Sequence, residues 1–71
     1  MQSAEARTLL TNKGYAAGQV DMAIKRAEST AASIAGRIRP EIRELALQDL
    51  LDYELQQCEH WLRGVAAAAA R

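Results

Sequence analysis

The chain has 71 residues, with nine basic and nine acidic side chains, one histidine, one cysteine, one proline and no phenylalanine. Fifteen of its apolar residues are alanine, which leaves twenty side chains large enough to fill a core, and a core of that size supplies only ~3–5 kcal/mol. A single cysteine closes off an internal disulfide, and the length and patterning exclude a multi-residue enzyme, a dinucleotide-binding fold, a secreted disulfide scaffold and a membrane span, so the remaining staples are a metal or a partner chain.

The opening Met1-Gln2-Ser3-Ala4-Glu5-Ala6-Arg7 lacks the apolar stretch behind a basic end that marks a signal peptide. With a lone Cys58 this points to a reducing, cytoplasmic setting. A first helix is predicted over about 3–12, with Ser3 as its N-cap and Leu9 and Leu10 as its large apolar residues. Asn12-Lys13-Gly14 reads as its stop, Gly14 supplying a left-handed conformation.

A second helix is predicted over about 17–38. Its apolar positions Val20, Ile24, Ala27, Ala31, Ile34 and Ile38 are spaced alternately four and three apart, an unbroken heptad seam of coiled-coil type. A third, the longest, is predicted over about 40–69. Pro40 suits a first helical turn, Glu41 and Glu44 suit a helix N-terminus, and Leu51, Leu55, Cys58, Leu62, Val65 and Ala69 repeat the same spacing. The alanine run 66–70 reads as the fraying end of that helix. Two matched seams joined by a short linker predict helices that pack as neighbours. The expected fold is therefore all-α: an antiparallel helical hairpin of two long helices plus a short N-terminal helix, one small domain over 1–71, completed by oligomerisation.

The third helix drives that last expectation. Thirty-one residues at ~1.5 Å each make it ~46 Å long, beyond the ~30 Å diameter of a small domain. Projected at 100° per residue, eleven of its apolar residues over 42–65, Ile42, Ala46, Leu47, Leu50, Leu51, Tyr53, Leu55, Cys58, Trp61, Leu62 and Val65, fill an arc of about 220°. One neighbour needs a stripe of only ~100°, so the excess calls for a second copy or another helical protein. The interface residues this selects are Leu50, Tyr53, Leu55, Cys58, Trp61, Leu62 and Val65. Charge fits the same picture: residues 1–43 carry seven basic and four acidic groups (net +3), and residues 44–71 carry two and five (net −3). Opposite-signed halves set register when helices pack or dimerise.

No chemistry is legible. Cys58 and His60 stand about 200° apart on a helix and cannot share an ion or form a nucleophile–base pair. No glycine-rich phosphate loop is present. The chain reads as non-enzymatic, without cofactor, metal, membrane anchor or small-molecule substrate.

One local motif carries an alternative. Leu9-Leu10-Thr11-Asn12-Lys13-Gly14-Tyr15 followed by Gln19, Val20, Ala23 and Ile24 gives helix, glycine turn, aromatic and a second helix. This resembles the core of a helix-turn-helix DNA-binding unit, with Val20 and Ala23 on the inward side of the reading helix. The resemblance implies that Gln19 pairs with a base and that Lys25 and Arg26 hold phosphates, joined by Arg37, Arg39 and Arg43 as further basic groups. Lys13 stands where such units bury an apolar residue, and Asp21 faces the same groove as Lys25. The turn also resembles the first loop of ubiquitin-associated-type three-helix domains, whose helices are shorter than the second and third here. The plainer reading is a helix stop that folds helix one onto the hairpin. The sequence thus supports a protein–protein interaction or oligomerisation module, with a small DNA-binding regulator dimerising through helix three as the alternative.

Overall fold

Four helices account for most of the chain in the computed structural model, which describes residues 1–70. They are α1 (Ser3–Asn12), α2 (Ala17–Ala35), α3 (Arg43–Gln56) and α4 (Cys58–Ala69), and no strand occurs among the described residues. The all-α expectation holds, while several helix ends and one helix interior differ from it.

α1 has the expected bounds, but its cap differs. Gln2, in an extended conformation, takes the N-cap place. Ser3 is helical instead, and its hydroxyl donates to Glu28 of α2 at 3.0 Å. The other end follows the sequence closely. The Gly14 amide donates to Thr11 O at 3.0 Å and the Tyr15 amide to Leu10 O at 3.3 Å. These two bonds close a Schellman motif over the last carbonyls of α1. Gly14 sits at φ +94°, where a Cβ costs energy even though the space around it is open.

Helix α2 stops at Ala35, three residues before its seam would end. Gly36, Arg37 and Ile38 donate in a tightening turn to Ala32 O, Ile34 O and Ala35 O. Pro40 sets an outer limit to α2, because it disfavours helical geometry at Arg39 before it, and the helix gives way earlier, at Gly36. The Arg43 guanidinium then reaches back to the end of α2, Nε donating to Ala35 O at 3.1 Å and Nη2 to Ile38 O at 2.8 Å. It thereby gives Ile38 O a donor and adds a second one at Ala35 O beside the Ile38 amide. Pro40 itself lies in a turn, and helical hydrogen bonding resumes only with the Ala46 amide donating to Ile42 O.

The expected 40–69 helix is two helices. At Gln57 the ladder tightens, its amide donating to Glu54 O at 3.1 Å. The Cys58 thiol lies 3.6 Å from that same carbonyl and 3.6 Å from Ala23 O of α2. A side chain entering the i→i−4 ladder interrupts a helix without help from proline or glycine, and both α3 and α4 pack against α2.

α2 is the central element, packed against α1, α3 and α4. Contacts between it and the C-terminal half run in descending order: Arg43 with Ala35 and Ile38, Glu54 with Arg26, Cys58 with Ala23. The core joins Ala6 and Leu10 of α1, Val20, Ala23, Ile24 and Ala27 of α2, Leu55 of α3, and Cys58 and Leu62 of α4. The α2 face is Val20, Ala23, Ile24, Ala27, Ala31 and Ala35, all nearly inaccessible. The predicted seam positions Ile34 and Ile38 are not part of it: Ile34 is exposed and Ile38 half-buried. With alanine at most of these positions the neighbouring backbones approach closely, and the backbone measures 42 × 26 × 15 Å. Its least dimension fits two helix layers with axes ~8–10 Å apart. No helix among the described residues is long and apolar enough to cross a membrane.

Candidate functional site

Of the twenty large apolar side chains, six are buried, six half-buried and eight exposed. The buried six are Leu10, Val20, Ile24, Leu55, Cys58 and Leu62. Helix α3 is the most uneven element, since Leu55 is its one fully buried side chain. Ile42 at its N-cap is 54% exposed, Leu45 69% and Tyr53 60%, with Leu47, Leu50 and Leu51 half-buried. Single exposed apolar residues are ordinary on a protein surface, so placement decides whether these mean anything.

The flanks of α3 can be told apart by their contacts. One flank meets α1: Asp52 accepts from the Met1 amino group and from Gln56, and a cleft of about 380 Å³ separates Leu55 and Gln56 from Leu9, Leu10 and Lys13. Glu59, at the start of α4, anchors the α1–α2 turn on the same side. It accepts from Lys13 Nζ at 2.6 Å, Tyr15 Oη at 3.0 Å and Arg63 Nη2 at 3.4 Å. The Lys13 hydrogen bond is the main reason its carboxyl is held below the usual glutamate range. The opposite flank has no covering helix. At 100° per residue Ile42, Ala46, Leu50 and Tyr53 fall within an arc of about 80°, and Trp61 of α4 continues that side. Beyond it, His60, Trp61, Gly64, Val65 and Ala68 line an open groove of about 360 Å³.

The expected interface row therefore divides. Leu50, Tyr53, Trp61 and Val65 keep accessible surface, Val65 at 40%. Leu55, Cys58 and Leu62 are 3%, 1% and 4% exposed and face the chain's own core, so they are removed from the interface set. The wide stripe on the long helix was two stripes, one turned to α2 and one outward. Burial also pushes the Cys58 thiol up from the ordinary cysteine range, which makes it a poor nucleophile. His60 is exposed, and among the described residues no group of three or more metal-ligating side chains converges.

The expected phosphate-binding set is corrected as well. Arg26 turns inward: its guanidinium pairs with Glu54 at 3.3 Å and lies 5.3 Å from the centre of the Trp61 ring. Its side chain is 28% exposed and that of Glu54 13%. Arg43 is engaged with the α2 carbonyls. Lys25 is exposed but pairs with Asp21 at 2.9 Å, and Asp21 also accepts from Arg7 at 3.3 Å. Those contacts, the Lys25 hydrogen bond first, hold the Asp21 carboxyl below its usual range. Gln19, Arg37 and Arg39 remain exposed, and neither arginine has an ion-pair partner among the described residues.

Ile42 and Ala46 belong to the outer flank although the interface residues chosen from sequence omit them. Their signal is the spacing from Ile42 through Ala46 and Leu50 to Tyr53, four, four and three residues, a second helical stripe beside the seam. No family model, no curated protein and no solved structure matches the chain, so function rests on this geometry.

Proposed function

We propose that the chain is a non-enzymatic interaction module that works by burying the outer flank of α3 against a helical partner, in the first place another copy of itself. The observation that carries this reading is the row Ile42, Ala46, Leu50 and Tyr53 on the side of α3 that no helix covers, continued by Trp61. Contiguous apolar surface of this kind on a small domain marks an interaction site, and aromatic residues such as Tyr53 and Trp61 are favoured at interface centres. A chain with only six large side chains buried also gains more from a partner than a larger domain would. The module is read as an antiparallel hairpin, α2 against α3, with α1 closing one flank and the partner the other.

Tyr53→Glu tests the reading, because Tyr53 is 60% exposed and its loss leaves the core intact. The variant is expected to keep its helicity and lose mass in light scattering at tens of micromolar. Trp61→Glu is expected to do the same with some loss of stability, as Trp61 also packs on the core. Unchanged mass in the Tyr53 variant overturns the reading.

A second reading, a small DNA-binding regulator, draws on the α1–α2 turn: Val20 and Ala23 are buried behind it while Gln19, Met22 and Lys25 face outward. It has the weaker support, since Arg26 and Arg43 are held within the chain and Lys25 faces Asp21. Titration with duplex DNA at low salt, where phosphate contacts are strongest, separates the two. Absence of a complex there removes the regulator.

A further inference from the structure

Helix α1 is held to the rest of the chain by little apolar surface. Of its ten residues only Ala6 and Leu10 are buried, while Leu9 is 48% exposed. It packs mainly on α2 and only lightly on α3, and the cleft of about 380 Å³ stands between it and Leu55 and Gln56 of α3. Its other ties are polar. Among the described residues, every side-chain hydrogen bond from α1 and the turn after it to another helix ends on a carboxylate: Ser3 donates to Glu28, Arg7 to Asp21, and Lys13 and Tyr15 to Glu59. The side chains of Arg7, Asp21 and Lys13 are 47%, 42% and 55% exposed, so water and salt screen these contacts and they hold α1 weakly.

The other three helices are joined without α1. Arg43 donates to Ala35 O and Ile38 O, Arg26 pairs with Glu54 beside the Trp61 ring, and the Cys58 thiol meets Ala23 O. None of these contacts uses a residue before α2. The joint is the turn 13–16, where Gly14 at φ +94° and an extended Ala16 break the helical run, so no rigid element couples α1 to α2. A helix of ten residues is marginal alone in water, and α1 therefore unfolds once it leaves. Few buried apolar contacts and exposed backbone are the properties of segments that open below the global stability.

We propose that α1 is a latch: it detaches and unfolds as a unit while α2, α3 and α4 stay together, and its release uncovers an apolar seat between α2 and Leu55, edged by Asp21, Glu28 and Glu59, that takes back the same basic amphipathic helix. A seat of this kind, an apolar groove ringed by one sign of charge, is the form that helix-in-groove recognition uses. The latch is independent of whether the outer flank of α3 is an interface.

Native-state amide hydrogen exchange by nuclear magnetic resonance tests it, under conditions where exchange reads the opening equilibrium. The Lys13 and Tyr15 amides, bonded to α1 carbonyls, are expected to be at least about tenfold less protected than those of Ile24 and Ala27 in α2. Arg26→Ala separates a latch from ordinary unfolding, because the Arg26 contacts break only when α2 parts from α3 and α4. It is expected to speed exchange at Ile24 and Ala27 about thirtyfold and to leave Lys13 and Tyr15 within about twofold. The same pattern is expected in the Tyr53→Glu chain, where association through α3 is removed. Leu10→Asp is expected to release the latch with the circular dichroism of α2–α4 retained. A labelled peptide of residues 1–16 is then expected to bind this variant at least about tenfold more tightly than the unsubstituted chain, whose own α1 holds the seat. Equal protection of α1 and α2, or acceleration of both by Arg26→Ala, overturns the latch. Equal affinity of the peptide for both chains, or binding to neither, overturns the seat.

Discussion

Replacing Arg26 by alanine removes an ion pair, a cation over an aromatic ring and a side-chain stem in one step. Exposed ion pairs contribute about 0–1 kcal/mol, and breaking a fully buried pair costs ~3–5 kcal/mol. Arg26 and Glu54 fall between these limits at 28% and 13% exposure, joined by one contact of 3.3 Å. That places the pair near ~1–2 kcal/mol. The guanidinium over Trp61 adds about 0.5–1 kcal/mol. Arg26 Nε is buried without a hydrogen-bond partner, which offsets part of the gain, so the net loss expected is ~2 kcal/mol. For a domain of this size ~4–8 °C accompanies each kcal/mol, and the melting temperature should fall by roughly 8–16 °C. Urea and thermal unfolding followed by circular dichroism, at one fixed chain concentration because association adds to apparent stability, measure it. Arg26→Met, which keeps the stem, should fall between Arg26→Ala and the unsubstituted chain. Lys25→Ala, which removes only an exposed pair one helical turn long, should stay within ~0.5 kcal/mol of the unsubstituted chain. An Arg26→Ala variant no more costly than Lys25→Ala would show that Glu54 and Trp61 gain nothing from the Arg26 guanidinium.

Three further outcomes follow from the same structure. Ile24 is 1% exposed at the centre of α2, and Ile24→Ala should cost ~2–5 kcal/mol; against a total of ~4–11 kcal/mol for a chain of this length, far-ultraviolet circular dichroism should show a large loss of helix on mild heating, and full helicity there would argue against the packing described. Gly14→Ala meets no steric obstacle but places a Cβ at φ +94°, so it should destabilise by ~1 kcal/mol net of the stiffer unfolded chain, a shift readable in the urea midpoint. The Asp21, Asp52 and Glu59 carboxyls are all held below their ordinary range in the folded chain. Their stabilisation is therefore fully present above the unfolded carboxylate range near pH ~4 and is lost as pH falls through the lowered folded values. Glu59→Gln should flatten this acid dependence by disconnecting Lys13 and Arg63, and an unchanged acid profile would show that the Glu59 contacts contribute nothing.

The parts of the fold that were legible in the sequence are those fixed by local physics. Gly14 announced the left-handed stop of α1, and the near-absence of β-branched alternation announced an all-helical chain. Val20, Ile24, Ala27 and Ala31 announced the face of α2. The long-range contacts were not legible. Gln57 is a good helix former, and nothing in its neighbours signals a break; the break falls where the Cys58 thiol meets Ala23 O across the interface with α2. Arg26 reads as an outward cation on a helical wheel, and only the register that brings Glu54 and Trp61 beside it turns it inward. Arg43 reads as a third member of a basic cluster, whereas its guanidinium donates to carbonyls at the early end of α2. The same limit explains the divided interface row. A single helical projection cannot separate a stripe turned to a neighbour from one turned to solvent when the two adjoin, and Leu55, Cys58 and Leu62 went to the core while Leu50, Tyr53 and Val65 did not.

Whether a second copy covers the outer flank of α3 in solution is decided by sedimentation equilibrium of the unsubstituted chain from low micromolar to hundreds of micromolar. The expected mass rises with concentration from that of one chain, 7.8 kDa, to that of two, and a Tyr53→Glu variant stays at one throughout. A mass of one chain across the whole range overturns the proposed self-association.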